Sequence, residues 1–355
     1  MIRQRLAAGV LLSLTLVAGC GGGQGGRPTA PTGPGATATP VSATTATPVH
    51  EAPAATARDP YVRLARTLHA DGVQVWFEAD LVKAWLGGPA AFRAAVQRLG
   101  QLSRSVPVAG FKVADEIGYG DGLTSPAQAR AFLRAVRQAL GRVAPGKAVL
   151  IDAVVPDLGC LPWRGGAGLA CAQQARQRYP AADEAAVSSY LHAGLVDRLD
   201  LSTGLLDEST YAGWGITRDQ AQQEAWQHVL AAGWERLTRL QARKALAAPG
   251  GYQGDARAAS ADVHTYVDLP LADGAHAVDV WTWRQPYDGS TVSLLGPGLR
   301  NNALWTELRS RHDTGAVLFT HMTPSAMPLA AGPFAHECAV AAQAFDAVFV
   351  AAGTG

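Results

Sequence analysis

The chain has 355 residues, with 30 Lys and Arg against 29 Asp and Glu and a formal charge of +1. That balance gives no support to a nucleic-acid partner, and 48% hydrophobic content excludes a chain that is disordered or collagenous throughout. Four cysteines are too few for a disulfide scaffold of this length.

Met1 to Arg5 is a short basic start, and Leu6 to Val17 is an apolar run of 12 residues. A bilayer span needs about 20. The run ends in Val17-Ala18-Gly19-Cys20, small residues directly before a cysteine. This arrangement resembles the lipobox of bacterial lipoprotein signal peptides. The resemblance implies removal of residues 1–19, acylation of Cys20 and a membrane partner reached through that lipid. It places the mature chain at the extracytoplasmic face of the cell membrane. Residues 20–57 are Gly, Pro, Ala, Thr and Ser with almost no large apolar side chain, so a flexible tether is expected there.

Residues 58–355 read as one domain. In chain order, strands are predicted at Val73–Asp80, Val108–Glu116, Ala148–Val155, Val196–Gly204, Leu237–Arg243, Ala277–Gln285 and Ala316–Met322. Helices are predicted at Ala90–Ser105, Pro126–Val143, Gln173–Ala193, Arg218–Gly233, Ala256–Leu269, Asn301–Arg311 and His336–Ala351. Ser125-Pro126 and Thr217-Arg218-Asp219 carry helix-start chemistry. Strand and helix in strict alternation mean a parallel α/β fold.

The strands discriminate among such folds. Val73, Val75, Phe77 and Ala79 share one side of the first, and Gln74, Trp76, Glu78 and Asp80 the other. Lys112, Ala114 and Glu116 oppose Phe111 and Val113; Asp152 opposes Ile151; Asp200 opposes Leu199 and Leu201. Arg239, Gln241 and Arg243 share a face, as do Asp279, Trp281, Trp283 and Gln285. Strands of a doubly wound sheet are apolar on both faces, whereas strands of a closed barrel show one face to helices and one to the axis. A (β/α)8-like TIM barrel is therefore expected, with one strand missing or irregular. An open sheet carrying buried charges is the alternative.

In such barrels the working groups stand at the C-terminal ends of the strands. The inward set holds Glu78, Asp80, Lys112, Glu116, Asp152, Asp200, Arg243 and Asp279, which cannot all be buried and charged without pairing. Crowding of carboxylates should keep some protonated. The expected reactive pair is Glu116 with Asp152 on neighbouring strands, with Asp200 and Glu78 as substitutes. Trp76, Lys112, Asp115, Asp207, Arg243, Trp281, Trp283 and His321 are the expected contacts to a ligand.

Carboxylates beside indoles, in Phe111-Lys-Val-Ala-Asp-Glu-Ile-Gly-Tyr-Gly-Asp-Gly122 and Val280-Trp-Thr-Trp-Arg-Gln285, resemble a glycoside-hydrolase-type barrel. The resemblance implies a carbohydrate substrate hydrolysed by paired carboxylates, with no cofactor and no metal. A non-catalytic glycan-binding barrel and a two-lobed solute-binding lipoprotein are the alternatives; polar alternation in the strands speaks against the second. His336-Glu337-Cys338 lacks the second His of a zinc helix motif. Cys160 and Cys171 are expected to pair, since an exported chain meets oxidising conditions and the intervening loop is short. A monomer is expected.

Overall fold

Ten strands form a single sheet in the computed structural model, which describes residues 59–160, 165–242 and 246–351. The expected lipid site Cys20, the leader, the tether up to residue 58 and Arg243 lie outside the described residues. The strands are β1 Gln74–Glu78, β2 Gly110–Lys112, β3 Ala148–Val154, β4 Arg198–Ser202, β5 Thr238–Ala242, β6 Ala248–Pro249, β7 Val278–Tyr287, β8 Ser290–Ser293, β9 Leu318–Met322 and β10 Ala347–Ala351. Eight of them pair in parallel around a ring, in the order β1-β2-β3-β4-β5-β7-β9-β10 and back to β1. The fold is a closed α/β TIM barrel. β8 pairs antiparallel with the outer half of β7, and β6 with β8, so these two form a flap rather than staves.

The barrel has all eight staves, one more than the sequence analysis found. The missing stave is β10, which falls inside the helix predicted at His336–Ala351; that helix ends at Ala341. Ala347-Val-Phe-Val-Ala351 is apolar on both faces and wholly buried, and a run that short has no period to tell strand from helix. The predicted helix Gln173–Ala193 is two helices, Gly166–Arg178 and Glu184–His192, separated around Pro180, which cannot continue a helix. Helices at Pro60–Ala70 and Leu81–Leu86 were not predicted.

Helix starts follow side-chain chemistry. Ser125 Oγ accepts from the Gln128 amide ahead of Pro126, and Thr217 and Gln220 form a reciprocal capping box at 3.1 and 2.9 Å. The outward faces of the staves, including Phe77, Phe111, Val113, Val149, Ile151, Leu199 and Val280, are buried beneath the helices. Each such side chain contributes about 1.5–3 kcal/mol. The lower axis is filled by Trp76, Leu150, Ala277, Phe319, Ala347 and Phe349. Gly110 is required there: a Cβ would fall 2.5 Å from the Trp76 ring. No helix among the described residues is long and apolar enough to cross a membrane.

Candidate functional site

Above that apolar plug the inward positions turn polar. Strand register sets Lys112 beside Glu78, Asp152 beside Asp200, Asp200 beside Arg239, and Gln241 beside Asp279. The result is one connected set of charges across the axis. Lys112 Nζ lies 3.1 Å from Glu78 Oε1, 3.3 Å from Asp152 Oδ2 and 3.9 Å from Asp200 Oδ2. His321 Nδ1 lies 2.7 Å from Glu78 Oε2, and its Nε2 lies 2.6 Å from Asp279 Oδ2. Arg239 sits over the Phe319 ring at 4.4 Å, which joins the charges to the plug.

Protonation follows from this arrangement. Burial alone would raise Glu78, but Lys112 and His321 outweigh it and hold the carboxyl at about 2. Burial would likewise discharge His321, yet Asp279 and Glu78 push it up to about 10, so it is an imidazolium. Lys112 is held well above its ordinary value against burial, by Glu78, Asp152, Asp115 and Asp200. Asp200 goes the other way: burial, Asp279 and Asp152 push it far up, so it keeps its proton. Glu78, Asp152 and Asp279 as anions then balance Lys112, Arg239 and His321 as cations. A neutral ring is the cheapest way to bury so many ions.

Asp200, Asp279 and His321 also bring three ligand atoms within 4.8 Å of one another, a spacing that suits a cation. Both His321 nitrogens already serve carboxylates, however, so an ion would have to displace Nε2 and its proton from Asp279. We read the trio as part of the ion network.

The expected reactive pair is not assembled. β2 ends at Lys112, so Asp115 and Glu116 stand in the loop beyond it, Glu116 at a φ of 53°. Its neighbour Ile117 bonds the Asp152 backbone at 2.9 Å, but the Asp152 carboxylate is fully buried against Lys112. It cannot reach a substrate or water at the mouth. Glu78, with 14% of its side chain exposed, is a network member that solvent reaches, and Asp115 lies above Lys112 at 3.8 Å with 43% exposed.

Other expected contacts are corrected as well. Trp76 belongs to the apolar plug. Trp283 points out of the barrel, packing edge-on against Trp305 and bonding Glu337 at 3.0 Å. The cause is a register irregularity in β7 between Val280 and Arg284, which breaks the alternation that placed it inward. Trp281 is half-buried, edge-on to Tyr287. Cys160 and Cys171 form a disulfide with their Cα atoms 5.4 Å apart.

A cavity of 460 Å³ opens at the C-terminal ends of β3, β4 and β5. Its floor includes Val154, Ser202 and Gln241, each two residues beyond Asp152, Asp200 and Arg239 on the same strand face. The ligand space therefore lies one layer above the ion network. Tyr119, Asp207, Arg218, Gln222 and Tyr266 form much of the wall, and the charge of Glu116 bears on Tyr119. Of these only Asp207 was foreseen from sequence. Arg218, Gln222 and Tyr266 sit on helical segments whose patterns give no sign that they face a cavity.

No protein-family model and no curated protein matches the chain. Among solved structures it is similar to the carboxyl transferase domain of Rhizobium etli pyruvate carboxylase with pyruvate (13% identity, TM-score 0.41, 82% of this chain and 42% of that one). It is also similar to a phosphonomutase described as putative from Burkholderia cenocepacia (14%, 0.38, 82% and 91%). A third is 2,3-dimethylmalate lyase, a PEP mutase/isocitrate lyase superfamily member (12%, 0.36, 82% and 80%). The chain spans 24% of a full-length R. etli pyruvate carboxylase chain. The buried Asp152, bound to Lys112, removes the carboxylate pair on which the glycoside-hydrolase expectation rested. The glycoside-hydrolase expectation, with its carbohydrate substrate, is corrected.

Proposed function

We propose that this barrel is an enzyme acting on a small polar organic molecule held at its C-terminal mouth. The observation that carries the reading is the position of the 460 Å³ cavity, walled by the ends of β3–β5 and floored one layer above the ion network. Parallel barrels hold their ligands at this end, and a pocket of that size suits a small molecule. The network supplies fixed charge rather than proton traffic: Glu78 and His321 are both far from neutral pH in their titration. We assign proton exchange to Glu116 in the loop after β2, whose charge bears on the cavity-lining Tyr119. Glu116 holds a left-handed backbone that a non-glycine residue adopts at a cost, a feature that clusters at working sites.

A panel of small polar metabolites, followed by ligand-observed NMR and then by turnover assay, tests the reading. Ser202→Phe, which fills the cavity floor, should abolish binding without lowering the melting temperature, and Glu116→Gln should keep binding but lose turnover. Undiminished binding to Ser202→Phe overturns the proposal.

The leader motif supports a location for this activity: lipid-anchored through Cys20 at the extracytoplasmic face. Labelled palmitate should enter the wild-type chain and not Cys20→Ser; equal labelling contradicts the anchor.

A further inference from the structure

Arg218 opens the helix Arg218–Ala231 and stands on the wall between the 460 Å³ cavity and an adjoining cleft lined by Thr217, Asp219, Asp262 and Thr265. Its guanidinium has no ion pair among the described residues, and its Nε is buried with no acceptor. It is held over the Tyr266 ring at 5.2 Å instead. The nearby Asp219 is already engaged, accepting from Thr265 at 2.6 Å and lying 3.8 Å from His264.

Two further donors line the same cavity without acceptors. Gln222 is 2% exposed; its Oε1 accepts from Thr203 at 3.2 Å, which fixes the amide so that Nε2 is the unused end. Tyr266 is 7% exposed and its hydroxyl finds no acceptor, the group beside it being the Arg218 guanidinium, itself a donor. A buried donor left unpaired is costly, and here three such donors share one wall. Three unpaired buried donors on one wall call for a ligand rich in acceptor oxygens.

We infer that Arg218, Gln222 and Tyr266 bind the carboxylate of a small organic monocarboxylate, a conclusion that rests on the mouth being the ligand site. Charge selects the class. One guanidinium matches one carboxylate, whereas a phosphate dianion would leave a charge uncompensated in a cavity that Asp207 also lines. The planar fork of Arg and the planar carboxylate further suit a bidentate contact, with the amide and phenol left for the remaining lone pairs.

The test compares glycolate, glycolamide and inorganic phosphate at matched ionic strength, by ligand-observed NMR on the full chain. Glycolate should bind, and glycolamide and phosphate should bind about 10- to 100-fold more weakly. Arg218→Gln should weaken glycolate by a similar factor with an unchanged circular dichroism spectrum, and Arg218→Lys should recover part of the loss. Equal binding of glycolate and glycolamide, or of wild type and Arg218→Gln, overturns the carboxylate assignment while leaving the mouth as ligand site. Glycolate binding that survives in Ser202→Phe overturns both, as does no binding by any of the three probes.

Discussion

His321 Nδ1 lies 2.7 Å from Glu78 Oε2, so β9 is tied to β1 across the intervening β10. Beneath that contact the Phe349 ring of β10 lies 4.9 Å from the imidazole, between centroids. The ion network is thus anchored on an aromatic floor, and solvent reaches it at Glu78 and Arg239.

Removing a carboxylate from the network should have unequal consequences at two adjacent aspartates. Asp152→Asn leaves Lys112 short of an anion and should destabilise by about 3–5 kcal/mol. Asp200 is already neutral, so Asp200→Asn preserves its charge and shape and should cost less than about 1 kcal/mol. Urea denaturation of both variants at neutral pH makes the comparison; equal losses would show that Asp200 is ionised.

Stability should also fall at both ends of the pH scale. Glu78 is lowered from 4.5 to about 2, so its contribution is present above 4.5 and is lost as pH falls through 2. His321 is raised from 6.5 to about 10; its contribution is present below 6.5 and is lost as pH rises through 10. Asp200 has the same sign as His321, since its value is raised above 3.8: its contribution is full below 3.8 and declines as pH rises from there. Unfolding free energy measured from pH 3 to 10 should show the alkaline decline flattened in His321→Gln. An identical slope in that variant assigns the decline elsewhere.

Much of this architecture could be read from the sequence, for reasons tied to particular residues. Lys112, Asp152, Asp200 and Asp279 interrupt apolar strands at every second position, and that alternation survives because each opposite face is covered by helices. β10 was invisible because it is apolar on both faces: its inward Phe349 is plug, not network. Trp283 misled because a local register shift cancels the period of two, and no residue type marks such a shift. Glu116 misled because β2 stops four residues earlier, where pairing with β1 and β3 runs out. The cavity wall was the least legible part. Arg218 and Tyr266 meet only after helices distant in sequence are docked.

On the outside of the barrel, Glu337 is 1% exposed and accepts from Trp283 Nε1 and Arg284, each at 3.0 Å. Losing both bonds in Glu337→Ala should cost about 2–3 kcal/mol, while Glu337→Gln, which keeps an acceptor for the indole, should cost about 1. Denaturant midpoints with unchanged slopes give the values; a smaller loss in the alanine variant than in the glutamine variant contradicts the assigned roles.

Reduction of the Cys160–Cys171 bond, which closes a loop of sequence separation 11, should lower stability by about 3 kcal/mol. Cys338 is buried, its thiol pushed up to about 12 by burial, Asp71 and Glu337. Thiol labelling of the native, unreduced chain should therefore leave the Cys160, Cys171 and Cys338 sulfurs unlabelled. Rapid labelling of either loop cysteine would show the bond open.

The most direct test of the charge-balanced axis is the protonation state of His321, read by long-range ¹H–¹⁵N NMR of the imidazole with His321→Gln to assign it. At pH 8 both ring nitrogens should carry protons, because Glu78 and Asp279 hold them at 2.7 and 2.6 Å. A neutral single tautomer at that pH would contradict the network and the ionised Glu78 it presents to the mouth.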